Sequence, residues 1–95
     1  MKQLDAIFEI ADTAPIQKNL WRVGGRALID IRVGSVVSVQ MQVDKDVVTE
    51  TFEVVSVSAY GYEISTLYAV MTGYLTLQGE VGNILPVCKY LFEGR

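Results

Sequence analysis

Histidine is absent from this chain of 95 residues, and cysteine occurs once. Without histidine the sequence has no Ser-His-Asp or Cys-His nucleophile arrangement, and it lacks the commonest metal ligand. Zinc would need several cysteines, and calcium would need clustered carboxylates, of which Asp44 and Asp46 form the only close pair. No other spacing of Asp and Glu singles out an acid–base pair. These absences predict a protein that is not an enzyme and that uses neither a metal nor a cofactor.

The lone cysteine, Cys88, excludes an intrachain disulfide and fits a reducing compartment. Its neighbours are apolar, which predicts a buried strand in which the thiol acts as a small hydrophobic group. No histidine is present to activate it as a nucleophile.

Basic residues are also few. The chain has 8 Lys and Arg against 11 Asp and Glu, a net charge of −3, and no run of basic residues. Because nucleic acids and anionic membranes are bound mainly through basic patches, both partners are disfavoured. No stretch approaches the roughly 20 apolar residues of a membrane helix. Acidic residues at Asp5, Glu9 and Asp12 interrupt the N-terminal region, which argues against a signal peptide. We therefore expect a cytoplasmic location.

The length predicts one domain that spans residues 1–95. Hydrophobic residues make up 51% of the chain and charged residues 20%, which favours a folded core over disorder.

Strict alternation of apolar and polar residues is the strongest local pattern. It predicts a strand over 26–33, with Ala27, Ile29, Ile31 and Val33 facing inward. After a turn at Arg32–Ser35, in which Gly34 can adopt positive φ, a second strand is predicted over 37–43. There the odd-numbered residues Val37 to Val43 face the core, and Ser38 faces solvent.

The middle of the chain predicts a turn over Val43–Val47 and a long strand over Val47–Ser58. The apolar phase changes within that strand, which a bulge near Val54 and Val55 would explain. Tyr60-Gly61-Tyr62 predicts a break.

The last third predicts one or two helical turns, since Ile64, Leu67, Tyr68 and Met71 recur at helical spacing. A strand over 74–78 follows. The final strand is predicted over Ile84–Phe92, with Pro86 at an edge or bulge. Exposed strand edges, with the Leu91-Phe92 end as one candidate, also raise the possibility of a homo-oligomer.

The N-terminus is ambiguous, because Leu4, Ile7, Phe8 and Ala11 fit a helical face while Phe8 and Ile10 fit a strand. Six or seven short strands indicate an all-β fold. We expect a small, closed or nearly closed, six- to seven-stranded antiparallel barrel with Greek-key-like connections and a short helical turn.

Four segments follow a family pattern in order and spacing. They are Phe8-Glu9-Ile10-Ala11-Asp12, then Gly25 to Val37 (a Gly-Arg-apolar strand and a glycine that turns into a second apolar strand), then Phe52 to Val57, and then Met71 to Gly79. Together they resemble the second domain of translational GTPases of the elongation factor Tu type, the translation-protein β-barrel. The resemblance extends from about Ala6 to Phe92 and implies that the N-terminus is a strand. No phosphate loop of the form Gly-x-x-x-x-Gly-Lys-Ser/Thr is present, so it implies no GTPase. The parent factors bind RNA through basic surfaces that this acidic chain largely lacks, so only the fold is carried over.

Trp, Arg and Tyr dominate the energetics of protein interfaces. The candidate binding residues are Trp21, Arg22, Arg26, Tyr60 and Tyr62. Trp21 could instead close the barrel end as part of the core, and the tyrosines near Gly61 and Gly73, which include Tyr68 and Tyr74, could plug its mouth. Gly24 and Gly25 predict a bulge or tight bend rather than a phosphate cradle.

Three functions remain open from the sequence. The first is a non-catalytic interaction module that binds a protein partner through barrel-end loops. The second is an RNA- or ribosome-associated barrel, which would need a positive patch joining Lys18, Arg22, Arg26 and Arg32. The third is a small-ligand or enzymatic site in the barrel mouth, which a lumen filled with aliphatic side chains would oppose.

Overall fold

A computed structural model describes residues 5–80 and 84–94, and these residues form strands, turns and one short 3-10 turn. The elements are β1 (Ala6–Gln17), β2 (Leu20–Ala27), β3 (Ile31–Arg32), β4 (Val36–Val43), β5 (Asp46–Ala59), β6 (Tyr62–Ile64), β7 (Thr66–Leu67), β8 (Thr72–Gln78), the 3-10 turn (Leu85–Val87) and β9 (Tyr90–Glu93). The N-terminal segment is a strand, as the family resemblance implies. Among these described elements, none is a helix long and apolar enough to cross a membrane.

Six strands close into an antiparallel barrel. Their order is β4-β9-β1-β2-β8-β5, and β5 returns to pair with β4. Several neighbours, such as β2 with β8 and β9 with β4, are distant in sequence, as in a Greek-key barrel. The far end of β5 also pairs with β6, while β3 and β7 form a separate two-stranded sheet. The predicted all-β barrel is therefore confirmed.

The interior of the barrel is filled with aliphatic and aromatic side chains. The largest of those that are less than 2% exposed are Phe8, Phe52, Ile31, Leu67, Leu75, Leu77, Leu85, Leu91, Val23, Val37, Val39 and Val54. Most of them come from alternate positions of the barrel strands, because successive side chains of a strand point to opposite faces, whereas Ile31 and Leu67 belong to β3 and β7 and Leu85 to the 3-10 turn. The interior of an eight-stranded barrel is just wide enough for side chains to fill, and six strands enclose a narrower one.

Several register shifts interrupt the long strands, among them one bulge in β5 and one in β1. In β5 the pairing with β8 shifts between Val54 and Ser56, so the predicted bulge near Val54 and Val55 is confirmed. In β1 the pairing with β2 shifts between Ile10 and Asp12, opposite two glycines of β2. Each bulge increases the local bend that a small closed barrel needs.

The predicted turns are present. Gly34 has φ +94° in the turn before β4. Asp44, with φ +56°, lies in the β4–β5 turn. Tyr60 and Gly61 have φ of +54° and +82°, the type I′ pattern of a two-residue hairpin between β5 and β6.

The predicted continuous strand over 26–33 is wrong. β2 ends at Ala27, and the chain then bends away, so Ile29 and Val33 are exposed. The bend is held by the Ala69 backbone N–H, which donates to the Asp30 carboxylate at 2.9 Å. The later residues form β3, which pairs with β7 rather than with the barrel.

The prediction for the second strand holds only at its start. Val37 and Val39 are buried, but Met41 is half-buried and Val43 is exposed, because the β4–β5 hairpin extends past the short strand β9. Ser38, which we expected to face solvent, is 3% exposed. β9 lies beside it, and the Ser38 hydroxyl donates to the backbone carbonyl of Glu93 at 3.4 Å.

The predicted helical turn over Ile64–Met71 is wrong. This segment forms β6, β7 and a turn closed by a bond from the Met71 N–H to the Tyr68 carbonyl. Within residues 5–80 and 84–94 the helical turn is instead the 3-10 turn at Leu85–Val87, where Pro86 fits because the φ of proline is already helical.

The predicted last strand is shortened to β9, so Pro86 occupies the 3-10 turn rather than a strand edge or bulge. β9 lies between β1 and β4, so its Leu91-Phe92 pair is not a free edge. Cys88 lies outside the strands and is half-buried, with its thiol 3.7 Å from the carbonyl of Gln40.

Candidate functional site

One row of residues crosses the outer face of five neighbouring strands. The paired positions run from β1 to β6 in the order Asp12, Gly24, Tyr74, Ser58 and Glu63. Their chain neighbours Val23, Leu75 and Val57 are buried in the core, so the row faces outward. The barrel therefore brings side chains from distant parts of the sequence onto one surface.

Gly24 forms the floor of this row. A Cβ on Gly24 would lie 2.7 Å from the Asp12 carboxylate oxygen and 2.7 Å from the Tyr74 ring. Only a residue without a side chain lets both groups close over the strand. Above them, the Arg22 guanidinium stacks on the Tyr74 ring at 4.5 Å from its centroid, a cation–π contact.

The β5–β6 turn forms one wall of the surface. Its Tyr60 is 81% exposed and the following Tyr62 is 73% exposed. Glu63 comes next along β6 and accepts a hydrogen bond from the Ser56 hydroxyl at 3.4 Å. This wall is aromatic and carries one carboxylate.

The floor and the wall enclose a cleft of about 550 Å³. We call it the tyrosine cleft and define it by Asp12, Arg22, Tyr60, Tyr62, Glu63 and Tyr74. Its volume is that of a site for a small molecule or for a few side chains of a partner. Two carboxylates against one guanidinium make its side chains net negative.

The structure brings three of the five predicted binding residues together: Arg22, Tyr60 and Tyr62 line the tyrosine cleft. Arg26 lies next to it, in a shallower hollow that also contains Glu9 and Thr72. Trp21 precedes Arg22, so it points to the opposite face of β2, where it is half-buried against the core.

The sequence groups four tyrosines around two glycines, and the structure separates them. Tyr74 joins Tyr60 and Tyr62 in the cleft, whereas Tyr68 is exposed outside it. Asp12 and Glu63 were not proposed as site residues. Their place in the row depends on the register between β1, β2 and β6, which no local pattern reveals.

Carboxylates interrupt the basic patch that RNA binding would need. Arg26 is paired with Glu9 across β1 and β2. The next pair of residues on the outer face of these strands consists of Gly24 and Asp12. Arg32 lies on the separate sheet of β3 and β7. The arginines therefore alternate with negative charge on the outer face.

Other chemical groups are sparse. Within residues 5–80 and 84–94, no group of three or more Cys, Asp or Glu residues could hold a metal ion. The pKa of the Cys88 thiol is raised, mainly because burial disfavours the thiolate and also because the Glu50 carboxylate lies nearby. A raised thiol pKa leaves less thiolate, the reactive form, at neutral pH.

Comparisons of the chain with models of protein families, with curated proteins and with solved structures returned no match. The resemblance to the translation-protein barrel thus remains a prediction.

Proposed function

We propose that this protein is a non-catalytic interaction module and that the tyrosine cleft is where it binds a protein partner. The observation that carries the proposal is Tyr60, which is 81% exposed at a backbone φ of +54°. Positive φ is uncommon outside glycine, asparagine and aspartate, and a bulky side chain there costs about 1–2 kcal/mol. Tyr60 buries little of its own surface and lines the cleft together with Arg22 and Tyr62, so a contact with another molecule would account for its position.

The composition of the cleft supports a protein partner. Tyrosine and arginine supply large, stiff contact surfaces and are the residues most enriched at the energetic centres of interfaces. Here Tyr60, Tyr62, Tyr74 and Arg22 converge on one cleft. All are carried by paired strands or a two-residue turn, which holds them in place before binding.

A stable interface buries about 800 Å² on each partner, which is more than the cleft alone can offer. The hollow around Arg26 shares Ala11, Gly25 and Thr72 with the cleft, so the two surfaces are continuous. We therefore place the centre of the interface at the cleft and its rim at Arg26.

The filled lumen does not favour a ligand inside the barrel, and the alternating charges of the outer face do not favour RNA. The cleft has room for a small molecule as well, but its exposed tyrosines and its arginine are the residue types enriched at protein interfaces, so the protein-binding role is the one we propose.

The test is photo-crosslinking with benzoylphenylalanine in place of Tyr62, in extract of the cells that produce the protein. We expect a discrete protein adduct that is lost when Arg22→Ala or Tyr74→Ala is added. The matched control carries the photoreactive residue in place of Tyr68, which is exposed but lies outside the cleft. Equal adducts from both positions, or none from position 62, would reject the proposal.

A further inference from the structure

We infer that the partner offers an extended segment that lies along β6 and places a basic side chain opposite Glu63. This inference rests on the proposed function and names the chemistry of the partner.

Charge separation within the cleft is the first argument. Tyr60, Tyr62 and Glu63 lie at the β5–β6 end, whereas Arg22 lies on β2. The Arg22 guanidinium stacks on Tyr74 of β8, and two strand spacings separate β8 from β6 in the sheet order, which corresponds to about 10 Å. This is somewhat more than the Debye length of about 8 Å at physiological salt, so salt weakens the repulsion between Arg22 and a cation at the far end.

At that end two exposed tyrosines and the Glu63 carboxylate border the cleft, where they could receive a cation. The faces of exposed tyrosine rings attract guanidinium and ammonium groups, and the contact between Arg22 and Tyr74 shows this geometry within the same cleft. The Glu63 carboxylate adds the opposite charge, and its hydrogen bond from the Ser56 hydroxyl fixes its direction. The chain as a whole has a net charge of −3, which also attracts a basic segment.

The free edge of β6 supplies the backbone partner. β6 ends the sheet order, and within the described part of the chain its strand pairing is with β5 alone. An end strand offers unpaired N–H and C=O groups to an extended peptide. In an added strand, the residue opposite Glu63 would point to the same face, with its Cβ about 5 Å from that of Glu63.

The test selects peptides from a phage library of random 12-residue sequences against the intact protein. We expect the selected peptides to carry Arg or Lys and to lose binding to the Tyr62→Ala variant. With a synthetic copy of the best peptide, Glu63→Gln should weaken binding about tenfold, in the range of close charge pairs at interfaces. Methylation of alternate backbone nitrogens of the peptide should also weaken it.

Glu53→Gln is the matched control, because Glu53 is an exposed carboxylate on β5 outside the cleft. It should leave the affinity within about twofold, because a rim charge outside the site contributes little.

Peptides that need Tyr62 but carry no basic residue, or that bind Glu63→Gln as tightly as the unchanged protein, would overturn the inference and leave the proposed function intact. Basic peptides that need Glu63 but tolerate every backbone methylation would overturn the strand addition. Peptides that are all insensitive to Tyr62→Ala would overturn the inference and the proposed function together.

Discussion

Two exposed hydrophobic side chains sit on backbone that usually takes glycine or asparagine. Asn19 and Asp44 also have positive φ, and both residue types tolerate it because their short polar side chains can bond locally. The side chains of Tyr60 and Val70 cannot form such local bonds. Val70 is also β-branched, has φ +66° and is 75% exposed. At Tyr60 the proposed interface accounts for the residue. Val70 lies outside the tyrosine cleft, and its backbone is held by a hydrogen bond from its N–H to the Ala27 carbonyl at 2.8 Å, which any residue except proline could make.

Replacement of Val70 by asparagine should therefore stabilise the protein. Val70→Asn relieves the backbone strain and gives up little burial, so we expect the free energy of unfolding to rise by about 1 kcal/mol. Urea denaturation measures this change directly. An unchanged or lower stability would mean that the exposed valine makes a contact that the fold needs.

The thiol of Cys88 gives a prediction about pH. Its pKa is raised first by burial and then by Glu50, so the folded state holds the thiol proton more tightly than the unfolded chain does. The resulting stabilisation is complete below the ordinary thiol pKa and is lost as the pH rises through the raised pKa of the folded state. Below that point, alkylation of Cys88 should be slower than alkylation of a free thiol.

The two causes can be separated with Glu50→Gln. This variant removes the nearby negative charge but not the burial, so the midpoint of the alkylation rate against pH should fall while staying above that of a free thiol. An unchanged midpoint would show that Glu50 does not act on the thiol.

At the scale of elements, the bulge in β1 and the two glycines opposite it work together. A Cβ on Gly25 would lie 1.9 Å from the Glu9 backbone carbonyl, whereas one on Gly24 would meet the ends of two side chains. Adjacent glycines therefore have different roles: Gly25 permits the strand pairing, and Gly24 permits the closed floor of the cleft.

The variants Gly25→Ala and Gly24→Ala should separate these roles. Gly25→Ala forces the backbone apart and should lower the free energy of unfolding by about 3 kcal/mol, as overpacking does. Gly24→Ala should cost less than about 1 kcal/mol, because the Asp12 and Tyr74 side chains can move aside. Thermal unfolding compares the two, and equal losses would contradict this division.

The sequence correctly predicted those elements in which apolar and polar residues alternate and only the apolar side faces the core. The β5 bulge and the strand at β8 are examples, because the apolar phase itself records which side is buried. The failures have tertiary causes. Over 27–33 the alternation continues although the chain has left the barrel, and over 64–71 an apparent helical spacing comes from two short strands that pair with β5 and β3.

For the whole molecule, the candidate site follows from barrel closure. Arg22, Tyr60 and Tyr62 could be proposed from residue type and their position near turns. Asp12 and Glu63 could not, because 51 positions of sequence separate them and only the register across five strands brings them into one row. The cleft therefore cannot be predicted from any single segment, because its residues come together only when the barrel closes.

The central claim is that the tyrosine cleft, rather than exposed tyrosine in general, binds the partner. The most direct measurement is the Kd of the photo-crosslinked partner, or of the best selected peptide, for the unchanged protein and for the Tyr62→Ala and Tyr68→Ala variants. We predict that Tyr62→Ala raises Kd about tenfold or more, as loss of an interface anchor does, while Tyr68→Ala changes it less than about twofold. Equal effects of the two substitutions in folded protein, or no effect of Tyr62→Ala, would contradict the account.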